Sequence, residues 1–178
     1  GGSSNAASTL VALNKIWSLK LSREKLQKIG ESCGSDVPFF VFGENAYGSG
    51  KGEILQKKDS TGKNYLIIYP NYHLSTQKMF ELFDNESMTE SEGNSFLNTY
   101  LKTNESVRLF YEKIAKDNTI SLSGSGSSMF IEYGAKREIL KILKKIPKNW
   151  RFFLCEALQY SQLKAVSYTH LTLPTKQM

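Results

Sequence analysis

The 178-residue sequence has only two cysteines and two histidines, and it contains no long hydrophobic run. Cys33 and Cys155 stand far apart without Cys-x-x-Cys or Cys/His spacing. This argues against a disulfide framework or a zinc site and predicts two reduced thiols in the core. His73 and His170 make no metal-binding set. The longest apolar run, residues 37–42, is far below the ~20 residues of a membrane span, and no signal segment is evident. We therefore expect a soluble cytoplasmic protein.

The composition is that of a globular protein, with 40% hydrophobic and 22% charged residues. Lysine and arginine exceed the acidic residues and give a formal net charge of +6. A positive charge favours anionic ligands, but the lysines are scattered, and ordinary solvation is the simpler explanation for them. The chain is long enough for one domain or two small ones. Charge alone therefore does not identify a partner.

The first 42 residues predict two helices and a strand. Ser22 can cap the second helix and Gly30 can end it. The apolar run at 37–42 predicts a fully buried strand, and the glycines after it mark a turn-rich stretch at a candidate domain boundary. Apolar residues at helical spacing predict a buried face on the first helix, formed by Ala6, Ala7, Leu10, Leu13 and Trp17.

The second half predicts four strands and three helices around a polar surface loop at 84–94. With the two middle helices counted as one crossover, the order is strand, helix, strand, strand, helix, strand. This is the split βαβ pattern of a ferredoxin-like domain, in an α+β protein. The predicted strands are 65–69, 119–122, 129–133 and 151–158. One predicted helix begins near Ser75, and the other two cover 105–116 and 135–146.

Three short stretches could carry chemistry. GGSSN at the start suits a phosphate, since glycine amides and the first turn of a helix present unpaired donors, but a linker followed by an N-cap explains it too. Asp36, between a glycine and Pro38, could accept a proton from a hydroxyl, or it could bond its own backbone in a turn. SGSGSS at 123–128 could form an anion-binding nest or a plain hairpin turn.

In this order, four stretches resemble the GHMP kinases. They are GGSSNAASTLVALN, IGESCGSDVPFFVFGENAYGSGKGE, YPNYHLSTQKMF and LSGSGSSMF. The resemblance is close to about residue 134 and looser to about 158. It implies that residues 1–55 are the later part of an S5 domain 2-like ATP-binding domain and that 56–164 are a ferredoxin-like domain. Residues 165–178 do not resemble the family and are expected to be an artefactual tail.

The resemblance also implies roles for individual residues. Gly1, Gly2, Ser3 and Ser4 match the end of the loop that holds the ATP phosphates, and the match also implies Ser3 or Ser4 as a ligand of Mg²⁺. Asp36 matches the catalytic aspartate, which contacts the substrate and takes the proton of the accepting hydroxyl.

Other positions match the substrate side of the family's site. Thr76 and Phe80 match the cytidine end, where the phenyl ring would stack on the base. Gly124, Ser125 and Gly126 match the motif that closes on nucleotide and substrate. The implied reaction is ATP-dependent phosphorylation of the 2-hydroxyl of a cytidine diphosphate-linked methylerythritol in non-mevalonate isoprenoid biosynthesis.

The sequence departs from the family at both ends. It begins without Met inside the glycine-rich loop and lacks the lysine that partners the catalytic aspartate, so we expect a fragment that is inactive by itself. The expected partners are ATP and the cytidyl substrate, without nucleic acid or membrane, and a homodimer stays an open alternative. Two other functions also stay open: another GHMP small-molecule kinase, and a non-catalytic ferredoxin-like module that binds RNA through the basic segment 136–148.

Overall fold

A computed structural model describes residues 1–50, 52, 54–59, 62–85 and 93–161. They form two compact units. In the described part, the first unit holds residues up to 59 together with 158–161, and the second is Gly62–Ala157. The predicted boundary after residue 55 falls within a strand, Ile54–Lys57, and the structure divides the chain at Gly62 instead. His170, the predicted tail and residues 86–92 of the predicted loop lie outside the described residues.

Three helices form the core of the first unit. Helix α2 begins after Ser22, whose hydroxyl accepts a hydrogen bond from the Lys25 amide at 3.3 Å, as its capping role predicts. Ala7, Leu26, Val37 and Val41 are the buried members of one apolar cluster, so one side chain of α1 meets one of α2 and two of α3. The helices are α1 (Gly2–Ile16), α2 (Arg23–Glu31) and α3 (Val37–Phe42).

The prediction of a strand at 37–42 is wrong, since this run is helix α3. Pro38 lies in the first helical turn, where its missing N–H costs nothing, and Gly43 ends the helix with a φ of +68°. Val37 and Val41 are buried while Phe39 is 37% exposed, which is a helical pattern. An unbroken apolar run of six residues does not reveal this period.

Two further predictions about burial are wrong. Trp17 follows the end of α1 and is 62% exposed, so the buried face of the helix ends before it. Leu13 is half-buried and lies outside the apolar cluster. Cys33 is exposed and Cys155 is half-buried, so neither thiol belongs to a core.

The glycine-rich stretch after α3 contains a hairpin of β1 (Ala46–Ser49) and β2 (Ile54–Lys57). Residues 158–161 run beside its start. The Asn45 side-chain amide donates to the Leu158 carbonyl at 2.7 Å, and the Gln159 amide donates to the Lys58 carbonyl at 3.0 Å. These bonds explain why a segment distant in sequence belongs to the first unit.

The second unit is a four-stranded antiparallel sheet in the order β4-β5-β3-β6 with helices in its connections. This order and the element sequence confirm the predicted ferredoxin-like arrangement. Leu66 and Ile68 of β3 are fully buried against the helices. The strands are β3 (Asn64–Tyr69), β4 (Ser121–Leu122), β5 (Met129–Tyr133) and β6 (Arg151–Glu156).

Three helices rather than two make the crossover between β3 and β4. The unpredicted one, α5, is only seven residues long and carries Tyr100, the largest fully buried side chain. Helix α7 buries Ile139 and Ile142 and exposes most of its basic residues. None of the described helices has the length and apolarity that crossing a bilayer requires. The helices are α4 (Thr76–Asp84), α5 (Leu97–Thr103), α6 (Glu105–Ala115) and α7 (Lys136–Leu143).

Candidate functional site

The amino end of α1 is formed by four small residues. Gly1 precedes the helix and Gly2 is its first residue. Ser3 and Ser4 are half-buried in the first turn, which carries no acidic residue. The first amides of a helix lack intrahelical acceptors, and the dipole of this 15-residue helix places partial positive charge there. The four predicted phosphate-binding residues therefore form one electropositive helix start.

Asp36 lies directly before α3 and is exposed. Its carboxylate does not cap the helix, and it makes no hydrogen bond or ion pair with any residue that the structure describes. The alternative of a turn aspartate bonded to its own backbone is therefore wrong. The carboxylate is left available to a ligand.

Packing brings the two parts of this region into one unit. Val37, the residue after Asp36, is 1% exposed and belongs to the same buried cluster as Ala7 of α1. Ala7 lies one helical turn after Ser3 and Ser4. A rigid apolar contact thus fixes the start of α1 relative to the residue that follows Asp36.

The predicted motif at 123–128, here called the glycine turn, joins β4 to β5. The Ser123 amide donates to the Ser128 carbonyl at 2.9 Å, and the Gly126 amide donates to the Ser123 carbonyl at 3.0 Å. Gly124 and Gly126 have φ values of +57° and +95°, a region that favours glycine. The glycine turn is therefore a hairpin turn, which is one of the two predicted alternatives. Ser125 lies at its tip.

A hydrogen bond joins the glycine turn to the start of α4. The hydroxyls of Thr76 and Ser125 are 3.0 Å apart. Phe80 lies one helical turn after Thr76 and is 49% exposed, although its ring packs edge-on against Phe96 at 4.9 Å. Three residues that the resemblance assigns to the substrate side therefore lie together in the second unit.

Residues without a local sequence signal support this turn. The Asn94 side-chain amide donates to the carbonyls of Leu122 at 3.0 Å and Gly124 at 2.8 Å. The Tyr100 hydroxyl donates to the Ser127 carbonyl at 2.9 Å, and the Ser127 hydroxyl accepts from the Leu74 amide at 3.2 Å. All these partners are distant in sequence, so no local pattern identifies them.

The titration of Tyr100 gives a testable pH dependence. Burial raises the pKa of this phenol from its usual 10 to about 12. Below pH 10 both folded and unfolded chains keep the proton, and the contribution to stability is complete. Between pH 10 and 12 only the unfolded chain loses it, so the free energy of unfolding falls by about 2 kcal/mol.

The free energy of unfolding is measured as a function of pH. The probe of unfolding is the fluorescence of Trp150, which is buried in the same unit. Tyr100→Phe should remove the fall between pH 10 and 12 relative to the unaltered chain. Tyr111→Phe, a half-buried tyrosine on α6, should keep it. The same fall in all three proteins would contradict the assignment.

Comparison with known proteins finds similarity to the GHMP kinases. A model of the GHMP kinases N terminal domain matches residues 1–44. The 4-diphosphocytidyl-2-C-methyl-D-erythritol kinase of Chromobacterium violaceum is 33% identical over 177 residues, covering 92% of this chain and 62% of the relative. The kinase of the same name from Polynucleobacter necessarius is 37% identical over 171 residues, covering 84% and 57%. The chain thus spans less than two thirds of the length of these relatives.

The fold agrees with a solved structure. A crystal structure titled as 4-(cytidine 5'-diphospho)-2C-methyl-D-erythritol kinase superposes with a TM-score of 0.61 at 21% sequence identity. The match covers 89% of this chain and 66% of that one. This similarity establishes the fold of both units.

Proposed function

We propose that the chain is a GHMP kinase, as its match to the N terminal domain and its relatives indicate, and that the protein transfers the γ-phosphoryl group of ATP to the 2-hydroxyl of 4-diphosphocytidyl-2-C-methyl-D-erythritol. The curated relatives that carry this name support the choice of substrate. The observation on which the proposal rests is the hydroxyl pair Thr76–Ser125 beside the exposed Phe80, a small polar and aromatic surface suited to a cytosine. Such a reaction belongs to isoprenoid precursor biosynthesis in the cytoplasm.

The start of α1 would bind the ATP phosphates. Amides of the first turn donate to phosphate oxygens, and glycine, which has no Cβ, lets the phosphates approach the backbone at Gly1 and Gly2. Phosphoryl transfer depends mostly on such positioning and on stabilisation of the charge that develops on the transferred group.

The donor set at α1 fits Mg²⁺ bound through the nucleotide. Mg²⁺ prefers oxygen ligands, keeps several waters and takes few protein ligands, so the Ser3 hydroxyl beside phosphate oxygens is a suitable partner. Among the described residues, no three His, Cys, Asp or Glu side chains group together as a separate cage. When bound, the ion would neutralise phosphate charge.

Asp36 would act as the general base. As the 2-hydroxyl oxygen bonds to the γ-phosphorus and the bond to ADP breaks, the carboxylate takes the hydroxyl proton. The free carboxylate of Asp36 suits this role, because no described residue occupies its oxygens.

Phe80 would stack on the cytosine, which predicts a measurable loss of affinity. Stacking one base on an aromatic side chain contributes about 1–3 kcal/mol, so Phe80→Ala should weaken binding of cytidine 5′-diphosphate roughly tenfold or more. Isothermal titration calorimetry measures the change directly. Phe80→Tyr keeps a flat ring and should bind within a few-fold of the unaltered protein.

Phe153→Ala is the matched control, since Phe153 is also an aromatic residue of the second unit and is 52% exposed. It should leave the affinity for cytidine 5′-diphosphate unchanged. Equal losses in Phe80→Ala and Phe153→Ala would count against stacking at Phe80.

The activity itself is tested with a panel of acceptor alcohols. The protein at its natural length is incubated with ATP and Mg²⁺, and ADP release is followed. We expect turnover with the cytidyl substrate and little with homoserine, mevalonate or galactose. Turnover that does not depend on the cytidyl group would indicate another GHMP small-molecule kinase.

A further inference from the structure

We propose that Asn94 is a positioning residue for the cytidine end of the site, because one side-chain amide joins the glycine turn to the aromatic residues of α4 and α5. The inference rests on the proposed function, since it assumes that Phe80 and the glycine turn contact the same ligand. Asn94 itself is not expected to touch that ligand.

The hydrogen bonds of Asn94 run in two directions. Its Nδ2 donates to the carbonyl oxygens of Leu122 at 3.0 Å and Gly124 at 2.8 Å. Its Oδ1 accepts from the backbone amide of Phe96 at 2.9 Å. The side chain therefore uses its donors on the end of β4 and on the glycine turn, and its acceptor on the segment that leads into α5.

These contacts place the turn relative to an aromatic cluster. The Phe96 ring packs edge-on against Phe80 at 4.9 Å and against Phe83 at 5.0 Å. Phe96 thus supports the ring proposed to stack on cytosine, while its own backbone is bonded to Asn94. Without this amide, the glycine turn and the stacking ring would move independently of each other.

Other bonds hold the far half of the glycine turn. Ser125 meets Thr76, and Ser127 is bonded to the Leu74 amide and the Tyr100 hydroxyl. Loss of the Asn94 donors should therefore loosen the Gly124 half of the turn without unfolding the unit. The expected effect lies on ligand affinity and local order rather than on global stability.

Asn94→Asp is the discriminating variant. A carboxylate still accepts from the Phe96 amide but cannot donate to the Leu122 and Gly124 carbonyls, so only the bonds to the turn are lost. Asn118→Asp is the matched control, since the Asn118 amide donates to the Ile114 carbonyl at 3.0 Å, near the end of α6. Asn94→Ala replaces Asn94→Asp if the added charge prevents folding.

Two quantities are measured on the folded proteins. Calorimetry gives the affinity for cytidine 5′-diphosphate, and amide hydrogen exchange gives the order of the turn at Ser123 and Gly126. Loss of two hydrogen bonds should weaken binding about tenfold in Asn94→Asp and speed exchange by a similar factor. Asn118→Asp should change neither quantity, and both variants should unfold at similar denaturant concentration.

The outcomes separate this inference from the proposed function. Unchanged affinity in Asn94→Asp, or an equal loss in Asn118→Asp, overturns the positioning role while leaving the proposed function intact. If the unaltered protein does not bind cytidine 5′-diphosphate, the proposed function fails. The role of Asn94 is then tested by amide hydrogen exchange alone. Faster exchange in Asn94→Asp only would then support the role of Asn94 in the turn, and unchanged exchange would overturn it.

Discussion

Replacing Asp36 by asparagine is expected to lower kcat roughly 10²- to 10⁴-fold, the usual contribution of a general base. Asparagine keeps the size and polarity of the side chain but does not accept the hydroxyl proton. The Kd for ATP should stay within about twofold, because the removed interaction acts in the transition state. Asp36 is exposed and makes no helix-capping bond, so the substitution should also leave stability unchanged.

The measurement is steady-state turnover of the protein at its natural length, together with calorimetric titration of ATP. Asp117→Asn provides the same chemical change at an exposed aspartate that follows α6. Full turnover in Asp36→Asn would rule out the base assignment. A large rise in the Kd for ATP would instead place Asp36 in nucleotide binding.

Tyr100→Ala should cost about 3–5 kcal/mol of unfolding free energy, as large-to-small changes of buried aromatic residues do. The side chain is fully buried, and its ring lies 3.3 Å from where a Cβ on Gly126 would stand. Removing it opens a cavity under the glycine turn and leaves the Ser127 carbonyl without its donor. Tyr100→Phe keeps the ring and should cost about 1–3 kcal/mol, the penalty for an unsatisfied buried group.

Chemical denaturation followed by Trp150 fluorescence measures these losses. Trp150 is 8% exposed and packs on Phe110, so its emission reports on the second unit, and Trp17→Phe removes the other tryptophan signal. Phe153→Ala, on the exposed side of the same unit, should cost under about 1 kcal/mol. Comparable costs for Tyr100→Ala and Phe153→Ala would show that Tyr100 does not support the core.

The arrangement of the second unit could be predicted because its strands and caps have local signals. The short apolar run of β3, which Pro70 ends, and the capping residues Ser75 and Asn104 place their elements within one or two residues. Helix α5 has no such signal, since seven residues cover only two turns and its burial depends on Tyr100. Because residues 37–42 are all apolar, their sequence shows no helical period. The signals of a helix there are Pro38 in its first turn and Gly43 at its end.

The residues of the candidate site also divide into those with a local sequence signal and those without one. Asp36 and Ser125 belong to short motifs whose residue types suggest chemistry, whereas Phe80 is selected only through the resemblance to the family. Asn94 was hidden because its acceptors lie 28 and 30 residues away, and an asparagine after glycine is typical of any turn. Supporting contacts of this kind are created by the tertiary fold and have no signature in the order of residues.

The return of residues 158–161 to the first unit determines the order in which the chain can fold. Asn45 and Leu158 are 113 positions apart, and closing an unstructured loop of that length costs about 4 kcal/mol of chain entropy beyond a constant. When the Ala157 amide has bonded to the Lys63 carbonyl at 2.8 Å, the ends of the intervening segment already stand side by side. We therefore expect the ferredoxin-like unit to fold first. Once it has folded, residues 158–161 lie close enough to the rest of the first unit to pack against it.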